Sequence, residues 1–236
     1  MLSHEERLPG ACFAVSDRHG GVSRAPYDSL NLALHVGDAP LAVAANRRRL
    51  AEAAGVTSVA WMDQVHGREV VLVDVPASAP PRADALVTRT RGLALAVMVA
   101  DCTPVLAADP AAGVVGVAHA GRKGLALGVV PAMLAEMRRA GATSIEALIG
   151  PSICALCYPV PAALRDEVAA VVPASAAHAR DGSPALDIAA GVLAQLSAEG
   201  VPATRLPGCS AEDDAHFSYR RDAGVTGRYA GLVWLT

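Results

Sequence analysis

Three residues of this chain have the types needed to hold one metal ion: His66, Cys102 and His119. Each sits in a polar word at the edge of an apolar run. His66 lies in Asp63-Gln64-Val65-His66-Gly67, Cys102 in Ala100-Asp101-Cys102-Thr103, and His119 in Val117-Ala118-His119-Ala120-Gly121. Burying polar groups beside apolar strands costs free energy unless they are paired, and one shared site explains all three. Two imidazoles and a thiolate are borderline-soft donors that suit zinc, with a fourth position open to water or substrate. The intervals between them are far longer than those of a zinc finger. The same types also fit a buried free cysteine beside two unrelated histidines. Asp101 adjoins Cys102, but alternation along a strand turns neighbours to opposite faces, so it is not expected on the same ion.

Regular elements must carry these words. A helix is expected from Pro40, after Asp38, to a glycine stop at Gly55. Apolar runs over 70–75, 85–88, 93–100, 104–108 and 113–118 read as strands, the last two joined by a turn at 109–113. Leu127, Val130, Leu134 and Met137 recur at helical spacing in one helix over 124–139. A strand over 145–149, helices over 161–171 and 186–199, and a strand over 231–235 complete the pattern. Hairpin-like strand pairs with separate helices predict an α+β protein of mixed sheets flanked by helices, read as a single domain over 1–236.

Composition narrows the function. With 53% hydrophobic residues but only 3% aromatic, the core must be built of Ala, Val and Leu. A net charge of -3 and the absence of a Lys/Arg run give no attraction to a polyanion, so nucleic acid is not an expected partner. The longest apolar stretch, 93–100, is far short of the ~20 residues of a membrane span, and the acidic N-terminus lacks a secretory pattern. A cytoplasmic protein without a membrane partner is expected. Five cysteines scattered along the chain are expected as reduced thiols. Cys154-Ala155-Leu156-Cys157 has the form of a redox or zinc motif, but no second C-x-x-C pair completes a zinc knuckle, and two structural thiols are expected there.

Seven words occur in a recognisable order: NLALHVGD from Asn31, DQVHG from Asp63, ADAL from Ala83, ADCTPVL from Ala100, HAG from His119, GPSI from Gly150 and FSYRRDAGVTGR from Phe217. From about residue 30 onward the chain thus resembles the YfiH family, once described as laccase-like polyphenol oxidases and since regarded as purine nucleoside phosphorylases with adenosine deaminase activity. The resemblance implies an α-β-β-α sandwich with His66, Cys102 and His119 as the metal ligands. The chain also departs from the family pattern. HAGWRG becomes His119-Ala120-Gly121-Arg122-Lys123-Gly124, Tyr-Glu-Val becomes Tyr158-Pro159-Val160, and Phe-Phe-Ser-Tyr becomes His216-Phe217-Ser218-Tyr219. No ligand is lost, but an indole surface is, and Lys123 meets phosphate as a point charge rather than a fork.

The activity so implied is zinc-dependent phosphorolysis of adenosine, inosine or methylthioadenosine, with adenosine deamination at a zinc-activated water. Cys102 and His119 would be catalytic, with Asp101 as an acid toward the leaving purine. Arg47, Lys123, Arg220 and Arg221 are the candidate phosphate donors, and Asn31 and Gln64 the candidate amides for the base. Two alternatives stand beside this. A His₂Cys copper site would serve phenol oxidation, although seven histidines are too few for a full multicopper centre. A metal-free Cys102–His119 pair would serve a Cys-His hydrolase, with a link to peptidoglycan editing suggested by relatives. The sequence assigns no oligomeric state.

Overall fold

The computed structural model describes residues 1–76 and 79–236. Strands β1 (Leu2–Leu8), β2 (Ala11–Ser16), helix α1 (Pro40–Ala54), β3 (Ser58–Ala60), β4 (Val70–Leu72), β5 (Ala85–Thr88) and β6 (Leu93–Val99) make up the first part. Strands β7 (Thr103–Asp109) and β8 (Val114–Ala120) form a hairpin, followed by helices α2 (Arg122–Leu127) and α3 (Val129–Arg139) and strand β9 (Glu146–Ile149). Helix α4 (Ala162–Val171), β10 (Ala176–His178), β11 (Pro184–Leu186), α5 (Ile188–Ala198), β12 (Ala203–Arg205) and β13 (Tyr229–Leu235) follow.

Two sheets carry the fold, in the orders β1-β2-β13-β6-β3 and β12-β9-β7-β8-β5-β4, with β10 and β11 as a small separate pair. Both sheets are mixed: β3–β6, β4–β5 and β12–β9 are parallel while the other pairs are antiparallel. Period-two alternation sorts each strand between two apolar layers. Leu95, Val97 and Val99 of β6 meet Leu106, Val115 and Val117 between the sheets. Ala94, Ala96 and Met98 turn the other way, onto Leu50 and Ala54 of α1. Val105, Ala107 and Ala118 face Val130, Met133 and Met137 of α3 and Val192 and Leu196 of α5. The layers are therefore α1, sheet, sheet, helices, which is the expected α-β-β-α sandwich. Sheets buried on both faces read as continuous apolar runs, which is why β6, β7 and β8 stand out in the sequence.

Two expectations are corrected. The helix over 124–139 is two helices, because Gly128 at φ +80 ends α2 in the left-handed conformation and α3 restarts at once. The strand over 70–75 stops at Leu72, and the Val73 carbonyl accepts from the Thr88 hydroxyl at 2.5 Å instead of a ladder partner. The N-terminal residues, to which the sequence pattern assigns no element, form the β1–β2 hairpin at a sheet edge, with Leu2, His4, Glu6 and Leu8 half-buried and Ser3, Glu5 and Arg7 exposed. No helix among the described residues is long and apolar enough to cross a membrane.

Candidate metal centre

The three donors meet where the two sheets part. His119 is the penultimate residue of β8 and shares the face of Val115 and Val117, so its side chain points toward the layer between the sheets. Pairing of β7 with β8 sets Thr103 opposite Ala120, which brings the preceding Cys102 beside the end of β8. Residues 100–102 are not strand but the tight passage from β6 into β7, with Asp101 at φ +88. Strand alternation therefore does not place Asp101. His66 arrives on the loop between β3 and β4, held at φ +60. That conformation is costly for a residue other than glycine and persists only where its surroundings impose it.

Asp84 imposes it. Its carboxylate, fully buried, accepts the backbone N–H groups of His66 at 2.9 Å, Val65 at 3.2 Å and Gly67 at 2.6 Å. It also meets Nδ1 of His119 at 2.8 Å. A carboxylate can only accept here, so Nδ1 carries the hydrogen and Nε2 is the nitrogen directed at the site. Desolvation alone would raise Asp84, but the bonds from His119 and Gly67 outweigh it and hold the group below the usual carboxylate range.

The ligand atoms of His66, Cys102 and His119 lie within 4.8 Å of one another. Nε2 of His66 is 4.0 Å from Sγ of Cys102, and the two imidazole rings meet edge-on with centroids 4.7 Å apart. A Cβ on Gly121 would come within 3.0 Å of both Sγ of Cys102 and Cδ2 of His66, so only glycine lets the chain leave β8 past the site. Burial pushes the Cys102 thiol up, but His119 and His66 outweigh that and bring it down to about 6. Burial pushes His119 down, while the facing thiolate and Asp84 carry it up to about 9. The pair holds a thiolate beside a bound proton, the exchange a cation completes when it displaces that proton. The donors fit a borderline-soft ion, with one position left open toward solvent.

An open cleft of about 560 Å³ lies over the centre, within the range of small-molecule sites. His66, Cys102, Arg122, Lys123, Tyr158 and Arg220 are among the residues that line the cleft. The Arg220 guanidinium lies 4.9 Å from the Tyr158 ring, and its backbone N–H donates to Oδ2 of Asp101 at 2.6 Å.

The sequence profile of the family described as multi-copper polyphenol oxidoreductase laccase matches residues 12–236. The chain belongs to this family. A purine nucleoside phosphorylase of Streptomyces coelicolor is 52% identical over 100% of both chains, and one of Streptomyces griseus is 54% identical over 95% of this chain and 94% of its own. Among solved structures, YlmD from Geobacillus stearothermophilus superposes with a TM-score of 0.87 at 35% identity, covering 96% of this chain and 92% of its own. A Neisseria meningitidis protein reaches 0.89 at 36% identity, over 100% of this chain and 98% of its own.

Within this family fold, several candidate site residues prove to be committed elsewhere. Asn31 is fully buried, donating to the Ala33 carbonyl and Asp38 and accepting from the N–H groups of Ala33 and Arg228, so no part of the amide is left for a base. Gln64 exchanges two hydrogen bonds with the backbone of Met98, pinning its loop to β6. Arg47 stacks 4.1 Å from the centroid of the Trp61 ring and donates to the Leu32 carbonyl, and burial lowers it to about 10. Arg221 spends its donors on Asp222 and on the carbonyls of Ser210, Asp213 and His216. Asp101 accepts from Ser210 and Ser218 at 2.7 Å each and from Arg220, tying the C-terminal loop to the centre rather than standing free as an acid. Lys123 and Arg220 do line the cleft, as does Arg122, which was not singled out as a phosphate donor. Asp84 was missed as well, although it stands in the ADAL word.

Proposed function

We propose that the chain is a zinc-dependent purine nucleoside phosphorylase acting on adenosine, inosine or methylthioadenosine with phosphate, with adenosine deamination at the same centre. The observation that carries this reading is the convergence of His66, Cys102 and His119, backed by Asp84, at a cleft also lined by Arg122, Lys123 and Arg220. The names of the Streptomyces relatives support the nucleoside and phosphate. Bound by these three residues, zinc supplies a Lewis acid and lowers the pKa of water to about 7. Arg122, Lys123 and Arg220 hold the phosphate dianion by charge, and Arg220 is kept at the cleft by its backbone bond to Asp101. Tyr158 and Tyr219 offer ring faces to the purine. Holding both reactants in one cleft turns a bimolecular attack at the ribose C1′ into a positioned one.

Inosine and phosphate incubated with the zinc-loaded protein are expected to give free base and ribose 1-phosphate, and adenosine to release ammonia. Absence of all three products with zinc bound rejects the reading. Because Lys123 is exposed and makes a point-charge contact, Lys123→Ala is expected to raise KM for phosphate roughly 3- to 10-fold with zinc content unchanged. Initial rates at varied phosphate check this.

A second reading rests on the order Cys102–His119–Asp84, which is that of a nucleophile, a base and an orienting acid. A nucleophile needs one imidazole, and the convergence of His66 as well favours a metal. Activity that survives metal removal and is lost on thiol alkylation would decide for the hydrolase. The family's description supports copper as the other candidate ion, and turnover of phenols only after copper loading would decide for oxidation.

A further inference from the structure

On the far side of the Asp101 loop lies a second convergence of metal donors. Cys154, Cys157, Cys209 and Glu212 each place one ligand atom within 4.8 Å of the others. They come from two sequence pairs of the same spacing, Cys154-x-x-Cys157 and Cys209-x-x-Glu212. Each pair opens and closes a tight turn. The Cys157 N–H donates to the Cys154 carbonyl at 3.1 Å, and the Glu212 N–H to the Cys209 carbonyl at 3.0 Å. A turn of this kind sets its first and fourth side chains on one side, which is how paired knuckles present ligands to zinc. The partner pair that a search for a second C-x-x-C misses is present, with a carboxylate as its fourth ligand.

The two turns are joined before any ion is considered. Ser152 and Cys209 form a β-bridge, and the Cys154 N–H donates to Sγ of Cys209 at 3.2 Å. Sγ of Cys157 lies 3.4 Å from Oε1 of Glu212, and the Arg180 guanidinium contacts the same oxygen. An N–H directed at sulfur and a cation behind the carboxylate are the outer contacts that metal ligands of this kind use. Tetrahedral zinc with Zn–S bonds of about 2.3 Å has ligand–ligand edges of about 3.8 Å, so the donors need close by no more than about 1 Å. Three sulfurs exclude hard magnesium and calcium, and four protein donors leave no position for substrate, which marks a structural site rather than a catalytic one.

We propose that Cys154, Cys157, Cys209 and Glu212 bind a second, structural zinc ion. It clamps the loop after β9, which carries Tyr158, to the loop after β12, which carries Ser210, Ser218 and Arg220. Ser210, Ser218 and Arg220 hold Asp101, and Tyr158 and Arg220 line the cleft. The second ion thereby fixes the placement of Tyr158 and Arg220 relative to the first centre.

The test is elemental analysis of protein produced in zinc-supplemented medium and passed through a desalting column. Wild type is expected to hold about two zinc ions per chain, while Cys102→Ser and Glu212→Gln each hold about one. One ion in wild type that persists in Glu212→Gln, or none in Cys102→Ser, overturns the proposal. If Glu212→Gln fails to fold, cobalt loaded into Cys102→Ser is decisive. It is expected to give a sulfur-to-cobalt charge-transfer band of three-thiolate intensity, and absence of that band overturns the site. A disulfide among Cys154, Cys157 and Cys209 in the intact mass of freshly purified, unreduced protein also overturns it.

Discussion

Cys102→Ser is expected to lower phosphorolysis by more than about 100-fold and to empty the first centre. A serine hydroxyl is not ionised at neutral pH and supplies no soft donor, so two imidazoles remain, one of them on an exposed loop residue. The Lewis-acid contribution of a catalytic metal is worth several kcal/mol, and each ~1.4 kcal/mol is a factor of ten in rate. Zinc content and kcat/KM measured on the same preparation check this. Wild-type kinetics on a preparation without metal at His66, Cys102 and His119 would count against it. The thiol gives an independent readout. In metal-free protein a Cys102 pKa of about 6 makes the thiolate dominant at pH 7, so iodoacetamide should modify it quickly there and more slowly as pH falls below 6. Zinc should protect it. Equal rates with and without zinc would show that the sulfur is not a ligand.

What the chain discloses before its structure is known follows from how each residue earns its place. Strands buried on both faces cannot carry polar residues cheaply, so His119 stands out within β8, and the Asp101-Cys102 word stands out as the break between β6 and β7. Gly55 and the 109–113 turn are equally visible, because backbone geometry restricts the residues that suit such positions. Hydrogen-bond partners far apart in sequence leave no such mark. Asn31 and Gln64 look like binding amides because nothing local shows that Arg228, Asp38 and Met98 already occupy them. Arg47 looks like a phosphate donor until α1 is seen to lay it on Trp61. The same blindness hid Glu212 from Cys154, since only folding brings the loop after β9 against the loop after β12. The β1 hairpin escaped for another reason: an edge strand rich in His, Glu and Arg has the composition of a surface segment.

The residue whose importance is least visible in sequence carries the second large effect. Asp84→Asn keeps size and shape but removes the negative charge and turns one acceptor oxygen into an NH2 donor. Both carboxylate oxygens are fully subscribed, Oδ1 to the His66 N–H and His119 Nδ1, and Oδ2 to the N–H groups of Val65 and Gly67. An amide nitrogen at either position faces two donors with a donor. If it faces Val65 and Gly67, the loop loses what holds His66 at φ +60. If it faces His119, the imidazole gives up its Nδ1 hydrogen and carries it on Nε2, which then has no lone pair for the metal. Either way the zinc affinity of the first centre is expected to fall about 10- to 100-fold, measured by competition with a chromophoric chelator. Stability is expected to fall by about 2 to 3 kcal/mol, because charge-assisted bonds to a buried group are lost, and the melting temperature reads this out. Asp101→Asn is the control: it loosens Ser210, Ser218 and Arg220, so it should raise KM for phosphate while leaving that affinity within about twofold. Equal loss of affinity in both variants would mean that the centre depends on general packing, whereas loss in Asp84→Asn alone assigns the orientation of His119 to this carboxylate.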